Sequence, residues 1–178
     1  MIKKPAIFLD RDDTLNVDVE YTYKLADFRW VPGAPEALRL FTDAGLDVFI
    51  VTNQGGIGQG LFTENDMHRF NDHLIAEAAK QGGQIKDVAF CPHHPEAVTS
   101  TLLTPCPYRK PGHLMIMDLA KKWSLDLANS VMIGDRDSDV AAGRAAGCHA
   151  YLFNGSDLHG LARHVLDQHF PHLLMERF

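Results

Sequence analysis

The sequence predicts an α/β fold, a Rossmann-like parallel sheet in spatial order 3-2-1-4-5 with helices on both faces. Three observations carry that reading. Apolar runs of strand length alternate with segments of helical length along nearly the whole chain. Three of the runs stop abruptly in polar residues, at Asp10-Arg11-Asp12, Thr52-Asn53 and Gly134-Asp135, and a parallel sheet gathers its binding groups beyond the strand ends where strand order reverses. Right-handed crossovers leave few topologies, and convergence of those three ends puts the first strand between the second and the fourth.

Each element has its own reason. Ala6 to Leu9 is the first strand, followed by a long polar loop with Tyr21, Tyr23 and Trp30. Pro35 to Ala44 reads as a helix stopped by Gly45. Asp47 to Thr52 is the second strand, and the glycines at 55, 56, 58 and 60 that follow fit a flexible turn or a phosphate cradle. Thr63-Glu64-Asn65-Asp66 carries a capping pair that opens a helix running to about Lys80. Ile85 to Phe90 is the third strand. Cys91 to Gly112, rich in proline, reads as a loop insert within a single domain spanning 1–178. His113 to Trp123 is helical, Val131 to Gly134 a short buried strand, Asp137 to Ala146 a helix stopped by Gly147, His149 to Phe153 the last strand and Leu158 to Gln168 the last helix. Phe170 to Phe178 is apolar enough to pack on the body or on a second subunit.

Composition narrows the class of function. The 178 residues are 46% hydrophobic and 22% charged, ordinary for a soluble domain, and such a length buries about 70% of the unfolded surface. A net charge of -6 argues against a general nucleic-acid binder. No apolar run approaches the roughly 18 residues of a membrane span, and Asp10 interrupts the first one too early for a signal peptide. The expectation is a cytoplasmic monomer that handles a small molecule, with no nucleic acid and no membrane as partner. Cys91, Cys106 and Cys148 are too few and odd in number for a disulfide scaffold, so they read as thiols or ligands; Cys148 fits a small buried thiol.

The chemistry starts at Asp10, Asp12 and Asp13. Three carboxylates in four positions repel one another, and oxygen ligands in this number suit Mg2+. The same acids also fit a turn capping a helix. A carboxylate attacks an anionic phosphate ester only where a cation and fixed donors cancel the repulsion. Asp10 can be that nucleophile, with Mg2+ bridging Asp10 and Asp135, and with Thr52 and the backbone near Arg11 and Asn53 cradling the phosphate. Asp12, two positions on, can protonate the leaving oxygen and then activate water. Arg109 and Lys110 supply cations just before a helix.

These stretches, Asp10-Arg11-Asp12-Asp13-Thr14-Leu15-Asn16, Val51-Thr52-Asn53-Gln54, Arg109-Lys110-Pro111 and Gly134-Asp135-Arg136-Asp137-Ser138-Asp139, resemble the four ordered motifs of the haloacid dehalogenase superfamily of phosphatases. Cys91-Pro92-His93-His94-Pro95 narrows the resemblance to the D-glycero-D-manno-heptose 1,7-bisphosphate 7-phosphatases, with the histidinol-phosphate phosphatases next. The resemblance reaches to about Leu166. It implies Asp10 as nucleophile, Asp12 as general acid and base, Thr52 and Lys110 as phosphate ligands, and Asp10, the Asp12 carbonyl and Asp135 as Mg2+ ligands. It implies no separate cap domain, a phosphorylated sugar as substrate, and a place in lipopolysaccharide biosynthesis.

Two departures stand out. Asp13 occupies a position where the family usually has glycine; if the backbone there is left-handed, Asp is among the less costly replacements. The family's loop zinc would find Cys91, His93 and Cys106, but Tyr108 stands at the fourth ligand position, leaving His94 or a water to complete the shell, or the loop without metal. Arg136 reads as a substrate contact in a negatively charged chain. Arg11 fits a contact or a solvated charge, and Asp139 fits metal positioning or the first turn of a helix. His113 fits a substrate contact or a surface or capping role. A different class, the phosphoacceptor signalling module, also combines carboxylates, Mg2+, a Thr and a Lys on a parallel sheet, but its acceptor follows its acidic pair.

Overall fold

Five parallel strands, Ala6–Leu9 (β1), Asp47–Asn53 (β2), Asp87–Cys91 (β3), Val131–Gly134 (β4) and His149–Leu152 (β5), pair in the order β3-β2-β1-β4-β5. The structure, a computed structural model, describes residues 3–175. The polar strand ends expected to converge do so because β1 pairs with β2 on one side, Phe8 opposite Phe49, and with β4 on the other, Phe8 opposite Met132.

Helices Ala34–Asp43 (α1), Gly55–Gly58 (α2), Glu64–Lys80 (α3), Leu114–Trp123 (α4), Asp137–Ala145 (α5), Leu158–His169 (α6) and Pro171–Met175 (α7) fill the connections. Alternation along the strands sorts them into two layers. Ile7, Leu9, Val48, Ile50 and Ile133 face Leu38 and Phe41 of α1, Phe70 and Leu74 of α3, and Val165 and Leu166 of α6. Phe8, Phe49, Val51 and Met132 face Met115, Ile116 and Leu119 of α4 and Ala142 of α5. Every one of these side chains is at most 4% exposed, so the three central strands are covered on both sides and offer polar groups only at their ends.

Local sequence fixes the helix starts. Thr63 and Asp66 close a reciprocal capping box at α3. Gly33, at φ 78°, turns the chain into α1, and a Cβ there would meet Asp157 and the backbone of α6 at 2.4 to 3.1 Å.

Two expectations are corrected and one open choice is decided. β3 begins at Asp87 rather than Ile85, since Lys86 donates to Val48 from outside the ladder. The glycines at 55, 56 and 58 form neither a flexible turn nor an open cradle; they are buried in α2, pressed against His94, Phe62, Tyr21 and the Pro92 carbonyl, with room for hydrogen alone. The segment from Phe170 packs on the body as far as it is described, with Phe170 2% exposed and Leu173 against the core; residues 176–178 lie outside the described residues. No helix among the described residues is long and apolar enough to cross a membrane.

Candidate active site

A cavity of about 570 Å³ opens at the carboxyl ends of β1, β2 and β4. Asp10, Asp12, Asn53, Arg109, Lys110, Arg136 and Asp139 all line it. At its floor the Lys110 ammonium is buried, donating to the Val51 carbonyl at 2.7 Å and meeting Asp10 Oδ1 at 2.8 Å and the Asp139 carboxylate. Its three donors are thereby engaged. Burial works to lower the Lys110 pKa, but Asp10 and Asp139 outweigh it and hold the ammonium charged, above its ordinary value.

One ammonium does not balance the acids around it. Asp10, Asp135 and Asp139 bring carboxylate oxygens within 4.8 Å of one another. Burial raises the Asp10 carboxyl above its ordinary value even with Lys110 beside it, and burial together with Asp10 and Asp139 pushes Asp135 up to about 7. Such a set fits a second, hard cation of the Mg2+ type.

The other predicted residues fall into place unequally. Thr52 is fully buried, its hydroxyl accepting from Gln54 Nε2 at 2.9 Å. Asn53 brackets the backbone of Lys110, donating to its carbonyl at 3.1 Å and accepting from its amide at 2.9 Å. Arg109 donates to the His93 carbonyl at 2.8 Å. Arg136 is exposed at the rim, 3.8 Å from Asp135. Asp12 is fixed by Arg11, Asn16 and Gln54, and burial raises its carboxyl above the ordinary value against the pull of Arg11.

Sequence reading left Asp139 undecided and gave Gln54, Asn16 and Asn71 no role. Asp139 is 1% exposed, and a Cβ on Gly134 would lie 2.3 Å from its carboxyl carbon. Asn71 had a signal: it sits on the buried stripe of α3 with Met67, Phe70 and Leu74, where a polar residue needs a partner.

Asp13 adopts φ 58°, the left-handed conformation anticipated for it, and its Oδ1 accepts from the Asp18 amide at 2.9 Å. Asp13→Gly relieves backbone strain but loses that bond, so stability by chemical denaturation should stay within about 1 kcal/mol. Asp13→Val loses both advantages and should cost about 2–3 kcal/mol.

In the loop after β3, Cys91 Sγ lies 3.4 Å from His93 Nδ1 and 3.8 Å from Cys106 Sγ. Tyr108 is exposed, with its phenol raised above its ordinary value by Asp118. His94 does not join the cluster; its Nδ1 accepts from the Glu96 amide, and its ring packs on Gly55 at the cavity.

Comparison with known proteins bears on this geometry. A HAD-hydrolase-like family model matches residues 107–169. The chain is 42% identical to the D-glycero-beta-D-manno-heptose-1,7-bisphosphate 7-phosphatase of Rhodopseudomonas palustris, over 92% of this chain and 91% of that protein. It is 36% identical to the D-glycero-alpha-D-manno-heptose-1,7-bisphosphate 7-phosphatase of Photorhabdus laumondii, over 79% of this chain and 76% of that protein. A crystal structure of D,D-heptose 1,7-bisphosphate phosphatase from B. bronchiseptica, complexed with magnesium and phosphate, superposes with a TM-score of 0.80 at 28% identity, covering 92% of this chain and 99% of the other.

Proposed function

The chain belongs to the D-glycero-D-manno-heptose-1,7-bisphosphate 7-phosphatase family of haloacid dehalogenase-like hydrolases, and from that membership we propose that it removes the 7-phosphate of the heptose bisphosphate in a Mg2+-dependent reaction. The observation that supports this best is the clustering of Asp10, Asp135 and Asp139 around a buried Lys110 at the end of a parallel sheet. Such a floor repels an anionic ester unless further positive charge is bound, and then it holds one.

Asp10 attacks phosphorus, the ester bond to the sugar oxygen breaks, and an aspartyl phosphate forms. Asp12 gives its proton to the departing oxygen, then takes one from the water that cleaves the acyl phosphate and restores Asp10. Asp10, Asp135 and the Asp12 carbonyl would hold Mg2+, with Asp139 close by; the ion supplies charge neutralisation and orients the phosphoryl group. Lys110 meets the phosphoryl oxygens by exchanging one of its present partners. Thr52 and Asn53, at the end of β2, are the further phosphate-binding residues proposed, with Gln54 bonded to the Thr52 hydroxyl, while Arg109 and Arg136 line the route for the rest of the substrate.

Cys91, His93 and Cys106 suit zinc. Zn–S bonds of about 2.3 Å at tetrahedral angles place two sulfurs about 3.8 Å apart, which is the separation of Cys91 and Cys106. Three corners are thereby supplied, and water is the ligand proposed for the fourth. Metal-free, the Cys91 thiol is pushed by burial up to about 11, so binding would displace its proton. A cytoplasmic monomer remains the proposed setting.

The test is phosphate release with Mg2+ from both heptose 1,7-bisphosphate anomers, fructose 1,6-bisphosphate and histidinol phosphate. One heptose anomer should exceed the other compounds by about 100-fold in kcat/KM, a difference of about 2.7 kcal/mol. Preference for histidinol phosphate would move the assignment to the neighbouring family. A phosphoenzyme that persists without turnover would support the signalling module.

A further inference from the structure

Arg11 is the largest fully buried side chain among the described residues, 0% exposed, and no step of the proposed reaction uses it. Its Nε and Nη2 donate to the two oxygens of Asp12 at 3.0 and 3.1 Å. Nη1 donates to Asn71 Oδ1 of α3 at 3.0 Å, Nη2 also to the Thr22 carbonyl at 3.1 Å, and the guanidinium lies 4.7 Å above the Phe70 ring. Asn16 and Gln54 donate to the same carboxylate, at 3.1 and 2.9 Å, so each Asp12 oxygen receives two donors, and one amide donor has to give way whenever Asp12 holds a proton. A planar fork sets the plane of a carboxylate as well as its position, which an ammonium does not.

We propose that Arg11 is a positioning residue: anchored on α3 by Asn71 and Phe70, it sets the orientation in which the Asp12 carboxylate faces the leaving oxygen and the attacking water. The inference rests on the phosphatase reading but not on the identity of the sugar.

Turnover of the fastest phosphoester is the assay, with thermal unfolding in parallel. Arg11→Lys keeps the charge and loses the fork, and kcat should fall about 10- to 100-fold, the scale of a small misplacement. KM should stay within about twofold, since Asp12 acts on the reacting atoms rather than on binding. Asn71→Ala, which leaves both Arg11 and Asp12 in place, should lower kcat about 3- to 10-fold and carries the same test should Arg11→Lys lose its cooperative unfolding transition. The deciding measurement is a double-mutant cycle with Asp12→Asn. If Arg11 works through Asp12, adding either substitution to Asp12→Asn should cost nothing further in kcat. Losses that multiply, or a folded Arg11→Lys with undiminished kcat, would overturn the inference while leaving the phosphatase reading intact. A parent enzyme inactive on every phosphoester would overturn both.

Discussion

Asp10→Asn should abolish turnover, by about 10^4-fold or more, and leave the protein folded. An amide oxygen is too weak a nucleophile to form the phosphoenzyme, and removal of the nucleophile from a covalent mechanism produces losses of this order. Stability argues the other way. Asp10 is one of three acids whose oxygens lie within 4.8 Å, and burial already raises its carboxyl above the ordinary value. Replacing it with a neutral isostere removes repulsion from Asp135 and Asp139 while Lys110 keeps Asp139 and the Val51 carbonyl. Thermal unfolding should therefore be unchanged or higher, with phosphate release below detection. Measurable turnover at wild-type KM would assign the nucleophile elsewhere.

Lys110→Met should lose activity and stability together. Lys110 is 4% exposed, and its removal leaves Asp10 and Asp139 buried without their cation. Breaking a buried pair on one side costs about 3–5 kcal/mol, or about 10 °C in Tm for a chain of this size. The pH dependence has a definite sign. Asp10 and Asp135, whose carboxyls burial raises above the ordinary value, bind protons that the unfolded chain has released, so the variant gains stability as pH falls from neutrality toward the ordinary carboxylate range and loses it as pH rises. Mg2+ should recover part of the deficit, since it binds the folded acids. A variant whose Tm neither falls nor responds to pH and Mg2+ would mean that Lys110 does not hold this site together.

The fold was legible because its signals are local. Strand-length apolar runs, glycine stops and the Thr63–Asp66 cap are written in adjacent residues, and the polar ends of three strands gave the strand order. The site was legible as far as motifs reached: Asp10, Asp12, Lys110 and Asp135 do lie together at the end of the sheet. What stayed hidden depends on contacts across the chain. Arg11 and Asn71 are 60 positions apart, and an arginine at the end of a strand carries no mark that it folds inward rather than out. Asn53 offers a polar side chain at a strand end, but its engagement with the Lys110 backbone lies 57 positions away. The α2 turn was missed for a related reason. Glycines favour turns by their freedom, whereas these are required by the bulk of Phe62, His94 and Pro92 around them.

The sheet order also sets when an enzyme can exist during synthesis. β1 is the central strand, and of its two neighbours β4 comes late: the Ala6 amide is bonded to Ser130 Oγ across 124 positions. With β4 absent, β1 has one exposed edge, Asp10 has no Asp135 or Asp139 beside it, and Lys110 lacks Asp139 among its partners. Domains rich in such distant pairings fold more slowly than those built from local contacts. A nascent chain shorter than β4 should then carry the proposed nucleophile without the ability to use it, and hydrolytic competence should emerge in one step, only after the ribosome has released nearly all of these residues.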